Sequence, residues 1–96
     1  MAQYGELMTA IVQKQMSLVG RTVALKTARQ VLGIEVSDAG IVHGHASKST
    51  LELLLKEYES LSGEHAFALA KDAIKPILDG TEDLPDKLKE EIPLKE

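Results

Sequence analysis

The residues of this 96-residue chain with the most obvious chemical potential stand together at His43-Gly44-His45. Alternate residues of an extended strand face the same side, which sets two such imidazoles about 6–7 Å apart. A His-x-His pair of this kind grips zinc, iron or nickel when a third and usually a fourth ligand complete the shell. Glu35 and Asp38 are the nearest candidates in sequence, and Glu64-His65 could come from another joint. Two histidines do not make a site by themselves. The simpler expectation is that they end a hairpin in a solvated loop, with no metal and no cofactor. They remain candidates for a ligand-binding or proton-linked role because imidazole titrates near neutral pH.

A second constellation is basic. Arg21, Lys26 and Arg29 cluster on one helical stretch, with Lys14 one or two turns upstream. Residues 1–50 carry five Lys/Arg against three acids, whereas residues 51–96 carry six Lys against twelve acids. The plainest consequence is that the two halves pack with complementary surfaces. The sharper one is a basic docking face kept for a partner. Four cations in a chain of net charge −4 and pI near 5.3 are thin for a phosphate footprint, which argues against nucleic acid. The segment 51–78 does read as helix, short joint, helix. Its second helix opens Glu-His-Ala-Phe-Ala-Leu-Ala, which is acidic and then apolar and belongs in a core rather than a groove of DNA.

Other chemistries find no support. The absence of cysteine removes disulfides, thiolate metal sites and cysteine nucleophiles. The seven glycines are too scattered for a phosphate-binding loop, and no Ser, Thr or Lys stands in a nucleophile motif. Catalysis is not expected. The N-terminal residues lack the basic start and apolar run of a signal peptide, and no window reaches the ~18 apolar residues of a membrane span. A cytoplasmic location is therefore expected.

The elements that position these residues follow from periodicity. Residues 3–32 contain no proline and a single interior-type glycine, Gly20, and read as helix throughout. Tyr4, Ile11, Leu18, Leu25 and Leu32 recur every seven residues, a heptad stripe. The apolar positions flanking it shift around the axis near Gly20. That shift fits a break at Leu18-Val-Gly-Arg21 or one long bent helix with different neighbours on its halves; the balance favours the long helix, with Gly33 as its stop. Ile34–Val36 and Ile41–His43 read as two short strands joined by Ser37-Asp38-Ala39-Gly40, with Asp38 as turn former and Gly40 left-handed. Ser49 and Glu52 have capping-box spacing and open a helix ending at Gly63, with Leu51, Leu54, Leu55, Tyr58 and Leu61 on one face. A helix over 64–78 follows, with small Ala66, Ala70 and Ala73, interrupted near its end by Pro76. Pro85 starts a short helix reaching Ile92, held by Leu84, Leu88 and Ile92.

The fold class expected is mainly α: a small bundle of about four helices, a short β-hairpin at about 34–43, and a C-terminal helical appendage. Residues 1–80 form one helical domain, and 81–96 a charged, partly ordered appendage. A chain this short hides only about 60–65% of its unfolded surface, and a lone hairpin leaves two edges unpaired. Homodimerisation is the resulting functional expectation, within a small non-catalytic interaction or regulatory module. The self-interface would use Tyr4, Ile11, Leu18, Leu25, Ile34, Val36, Ile41 and Val42. Arg21, Lys26, Arg29, His43 and His45 would meet another protein or ligand. The alternatives are a small-ligand or metal sensor at the hairpin histidines and a nucleic-acid-associated protein using the basic face.

Overall fold

The computed structural model describes residues 3–78, 83–85 and 88. The architecture is mainly α, with four helices and one two-stranded antiparallel hairpin. Helix α1 (Tyr4–Val19) and α2 (Arg21–Ala28) come first, then strands β1 (Ile34–Val36) and β2 (Val42–Gly44), then α3 (Lys48–Ser62) and α4 (His65–Ile74). A 3₁₀ turn, Lys75–Ile77, closes α4, as the missing N–H of Pro76 requires.

The first thirty residues are two rods, not one. Gly20 adopts φ +93°, which ends α1 and starts α2 after a single joint residue. The preference for one long helix is thus corrected. Glycine's cost within a helix is only about 1 kcal/mol, and burying the two apolar faces separately outweighs continuity. The heptad stripe splits with it. Ile11 and Leu25 are buried inside the protomer, while Leu18 and Leu32 are exposed.

One core joins the four helices and the hairpin. Leu7, Met8, Ile11 and Val12 of α1 meet Leu51, Leu54, Leu55 and Tyr58 of α3 and Ala66, Ala70 and Ile74 of α4. The alanines of α4 let its backbone approach α1, against which it packs. Leu84 and Leu88 enter this same core; Ile92 lies outside the described residues. Tyr4 donates its hydroxyl hydrogen to the carbonyl of Asp83 and so ties α1 to that segment.

The cap of α3 is not at Ser49. Ser47 is the capping residue: its Oγ accepts from Thr50 N–H at 3.3 Å, and its own N–H donates to Thr50 Oγ1 at 2.8 Å. The threonine hydroxyl donates onward to the His45 carbonyl at 2.9 Å, anchoring the helix to the end of the hairpin. Ser-x-x-Thr outcompetes Ser-x-x-Glu because the shorter partner is buried here and holds a third backbone group.

The charge imbalance between the halves is used internally. Lys14 meets Asp72 at 2.7 Å and Lys48 meets Asp83 at 3.4 Å, each pairing a cation of the first half with an acid of the second. The Lys14 ammonium, through its hydrogen bond and charge, holds the Asp72 carboxyl below the usual carboxylate range. These pairs are exposed and fix orientation more than they stabilise.

Candidate functional site: the basic groove along α2

Helix α2 buries one narrow face, Ala24, Leu25 and Ala28, and leaves the opposite side open. Tyr58 of α3 supports it from beneath, donating its hydroxyl hydrogen to the Ala24 carbonyl at 2.8 Å across buried space. Burial pushes the Tyr58 phenol well above the ordinary tyrosine range. The helix therefore sits on a fixed, neutral support.

Along the flank of α2 beside its buried face, Arg21, Thr22, Leu25, Lys26, Arg29 and Gln30 line an open groove of about 630 Å³, with Asp38 of the hairpin turn at its rim. Successive members of this series are spaced by one and three residues, the pattern of one helical face. At about 1.5 Å rise per residue the groove runs roughly 12 Å from Arg21 to Arg29. Arg21, Lys26 and Arg29 supply its charge, and the buried Leu25 closes its floor.

Arg29 is held in place by main chain. Its Nε and Nη2 both donate to the Val36 carbonyl, at 3.1 and 2.8 Å, and Nη2 also reaches Asp38 Oδ1 at 3.1 Å. The guanidinium thereby fastens α2 to the hairpin and is oriented before anything binds. The turn itself differs from expectation. Ser37 Oγ, not the Asp38 carboxylate, accepts the Ala39 and Ile41 N–H groups, while Asp38 turns outward to Arg29. Gly40 has φ +86°, as the turn demands.

The hairpin pairs Ile34 with Gly44, Glu35 with His43 and Val36 with Val42, so the second strand begins one residue later than expected. Main-chain bonds at Ser37–Ile41 and His45–Gly33 flank the ladder and fix its phase. The backbone groups of Ile34, Val36, Val42 and Gly44 therefore point outward. These edges are not both open. Arg29 takes the Val36 carbonyl, Thr9 Oγ1 accepts the Val42 N–H at 2.9 Å, and the Ala46 N–H donates to the Gly44 carbonyl. Val36 and Val42 also bury their side chains in the core.

Of the residues expected at a self-interface, Ile11, Leu25, Val36 and Val42 are spent inside the protomer, and Tyr4 and Ile34 are half-buried. Leu18 and Ile41 remain exposed. Of those expected to meet a ligand or partner, Arg21, Lys26 and Arg29 share the groove. His43 and His45 are exposed elsewhere on the hairpin, and His43 stands opposite Glu35. Among the described residues no group of three or more His, Asp or Glu is placed to hold a metal ion. No helix there is long and apolar enough to cross a membrane.

Known protein families, curated proteins and solved structures offer no match to this chain. The geometry must speak for itself.

Two features escaped the sequence reading. Thr9, mid-helix in α1, seals the β2 edge. Gln15, only 1% exposed, lies among the core residues of α1, and its amide oxygen has no hydrogen-bond partner among the described residues. Its position beside Ile11 and Val12 on the apolar stripe was the available signal for burial.

Proposed function

We propose that this protein is a small non-catalytic interaction module whose docking face is the outer side of α2. The observation that carries the reading is the assembly of Arg21, Lys26 and Arg29 into one groove, with Arg29 oriented in advance by the Val36 carbonyl. A side chain ordered before binding loses less entropy on association than a free one. Polar Thr22 and Gln30 flank the cations. These are features of a recognition surface rather than of a reaction centre, which needs a nucleophile or acid–base pair converging on one point. Site-specific photo-crosslinkers at Thr22 and Gln30 test it against one at Ser60 on α3. The expected result is crosslinking to a macromolecular partner from the two groove positions only, lost in an Arg21→Glu/Lys26→Glu variant. Equal crosslinking from Ser60, or indifference to charge reversal, overturns it.

Self-association is the second reading, favoured by the exposure of Leu18 at 53% and Leu32 at 86%. A second copy would cover these rather than the ribbon edges. Light scattering over a dilution series should then show a mass that rises with concentration and drops in Leu32→Lys; a monomer throughout removes this reading.

A further inference from the structure

Resting on the docking reading, we propose that the α2 groove recognises an acidic peptide segment, with carboxylates set along one side to meet Arg29, Lys26 and Arg21 in turn. The chain itself shows how a carboxylate is received: Asp38 Oδ1 lies 3.1 Å from Arg29 Nη2 at one end of the groove. The Val36 carbonyl and Asp38 engage Nε and Nη2 and leave Nη1 unengaged among the described residues, and Asp38 itself is 90% exposed at its side chain, so it fills only the rim. The side chains of Arg21 and Lys26 make no hydrogen bond or ion pair among the described residues.

The spacing defines the ligand. Lys26 stands five residues after Arg21 and Arg29 three after Lys26, about 7.5 and 4.5 Å along the axis. Acidic residues at i, i+4 and i+8 of a helix lying along α2 span about the same 12 Å. Leu25, the one apolar residue of the lining, is buried in the core, so the recognition rests on charge.

A nucleic-acid strand fits less well. The groove holds no aromatic ring on which a base could stack, and the Asp38 carboxylate at its rim repels phosphate. The three cations lie on a chain of net charge −4, which disfavours a long polyanion while permitting a short acidic segment.

Fluorescence anisotropy of a labelled helical peptide with glutamates at i, i+4 and i+8 tests the assignment. Saturable binding is expected, weakened as salt is added. It should fall roughly tenfold or more in Arg21→Glu/Lys26→Glu, since two exposed attractions become repulsions. Replacing the peptide's glutamates by glutamine should abolish it. Unchanged thermal unfolding of the variant keeps the comparison fair, because neither side chain supports the fold. Arg21→Gln/Lys26→Gln, with no added negative charge, should show a smaller loss in the same direction. A single-stranded oligonucleotide of equal charge binding more tightly than the peptide overturns the acidic-segment assignment. So does peptide binding that ignores both variants. Should the peptide fail to bind while crosslinks from Thr22 persist, the ligand class is wrong and the docking face stands. Loss of both overturns both.

Discussion

Replacing Tyr58 by phenylalanine removes one hydroxyl and nothing else, and it loosens the support on which the groove helix rests. Tyr58 is 1% exposed and its hydroxyl donates to Ala24 at 2.8 Å, bridging α3 to α2. Loss of a net hydrogen bond costs about 1 kcal/mol. The Ala24 carbonyl is not left bare, because it lies one turn before Ala28 within α2 and keeps the helix's own bond. The cost therefore stays near about 1–1.5 kcal/mol rather than the larger penalty of an orphaned acceptor. For a domain of this size that lowers Tm by roughly 4–8 °C. The phenol also carries a pH signature. Burial raises its pKa in the folded state, so in alkali the unfolded chain ionises first and the folded chain binds more protons. Stability from this group is intact below about pH 10 and is lost as pH rises beyond it. Thermal unfolding followed by circular dichroism at neutral pH and at pH above 10 measures both. Tyr58→Phe should melt lower at neutral pH and lose less than the parent in alkali. Equal melting temperatures at neutral pH, or equal alkaline losses, would refute the role given to this bond.

Further expectations concern other named contacts. Gln15→Met should raise stability by about 1 kcal/mol, read from denaturant midpoints, because it removes a buried acceptor without a partner while conserving volume; a fall would mean the amide is satisfied in solution. Arg29→Lys keeps the charge but loses the two-pronged grip on the Val36 carbonyl, so amide exchange should accelerate at residues 36–42 while the helices keep their protection. Uniform acceleration throughout would point to global destabilisation instead. Gly40→Ala should destabilise by at least about 1–2 kcal/mol through its left-handed φ, with crowding against Gln13 Cγ at 3.1 Å adding to it. The added Cβ would lie 2.6 Å from Met16 Sδ, a flexible end that can move aside. Gly20→Ala, with nothing within 4 Å of the added carbon, should cost no more than Gly40→Ala in the same denaturation assay.

Much of the fold was legible because local chemistry and burial agreed. Pro76 marked the end of α4, Gly63 the end of α3, and Gly40 the hairpin turn, each through a backbone demand that few other residues meet. The Gly20 break was harder, since a glycine's weak cost in a helix leaves the decision to tertiary packing. The heptad stripe misled for a related reason. A seven-residue repeat is shared by a dimer seam and by a helix facing its own core, and Ile11 and Leu25 face the core. Ser47 and Ser49 both precede plausible capping partners, and only the burial of Thr50 separates them. The basic groove was readable because residues 21, 26 and 29 fall on one helical face. Arg29's grip on the hairpin was not, because its partner is a carbonyl and carries no side-chain signature. The sealing of the ribbon edges by Thr9 and Arg29 was hidden likewise, since both side chains bond to main chain, Thr9 across 33 residues.

The docking claim is tested most directly by mapping amide chemical shifts of the isotope-labelled protein during titration with the acidic helical peptide. Shifts should concentrate at residues 21–30 and 36–38, with saturation and with collapse in Arg21→Glu/Lys26→Glu. Shifts centred instead on the exposed Leu53 of α3, or on the exposed Ile41 and Ile77, would contradict it.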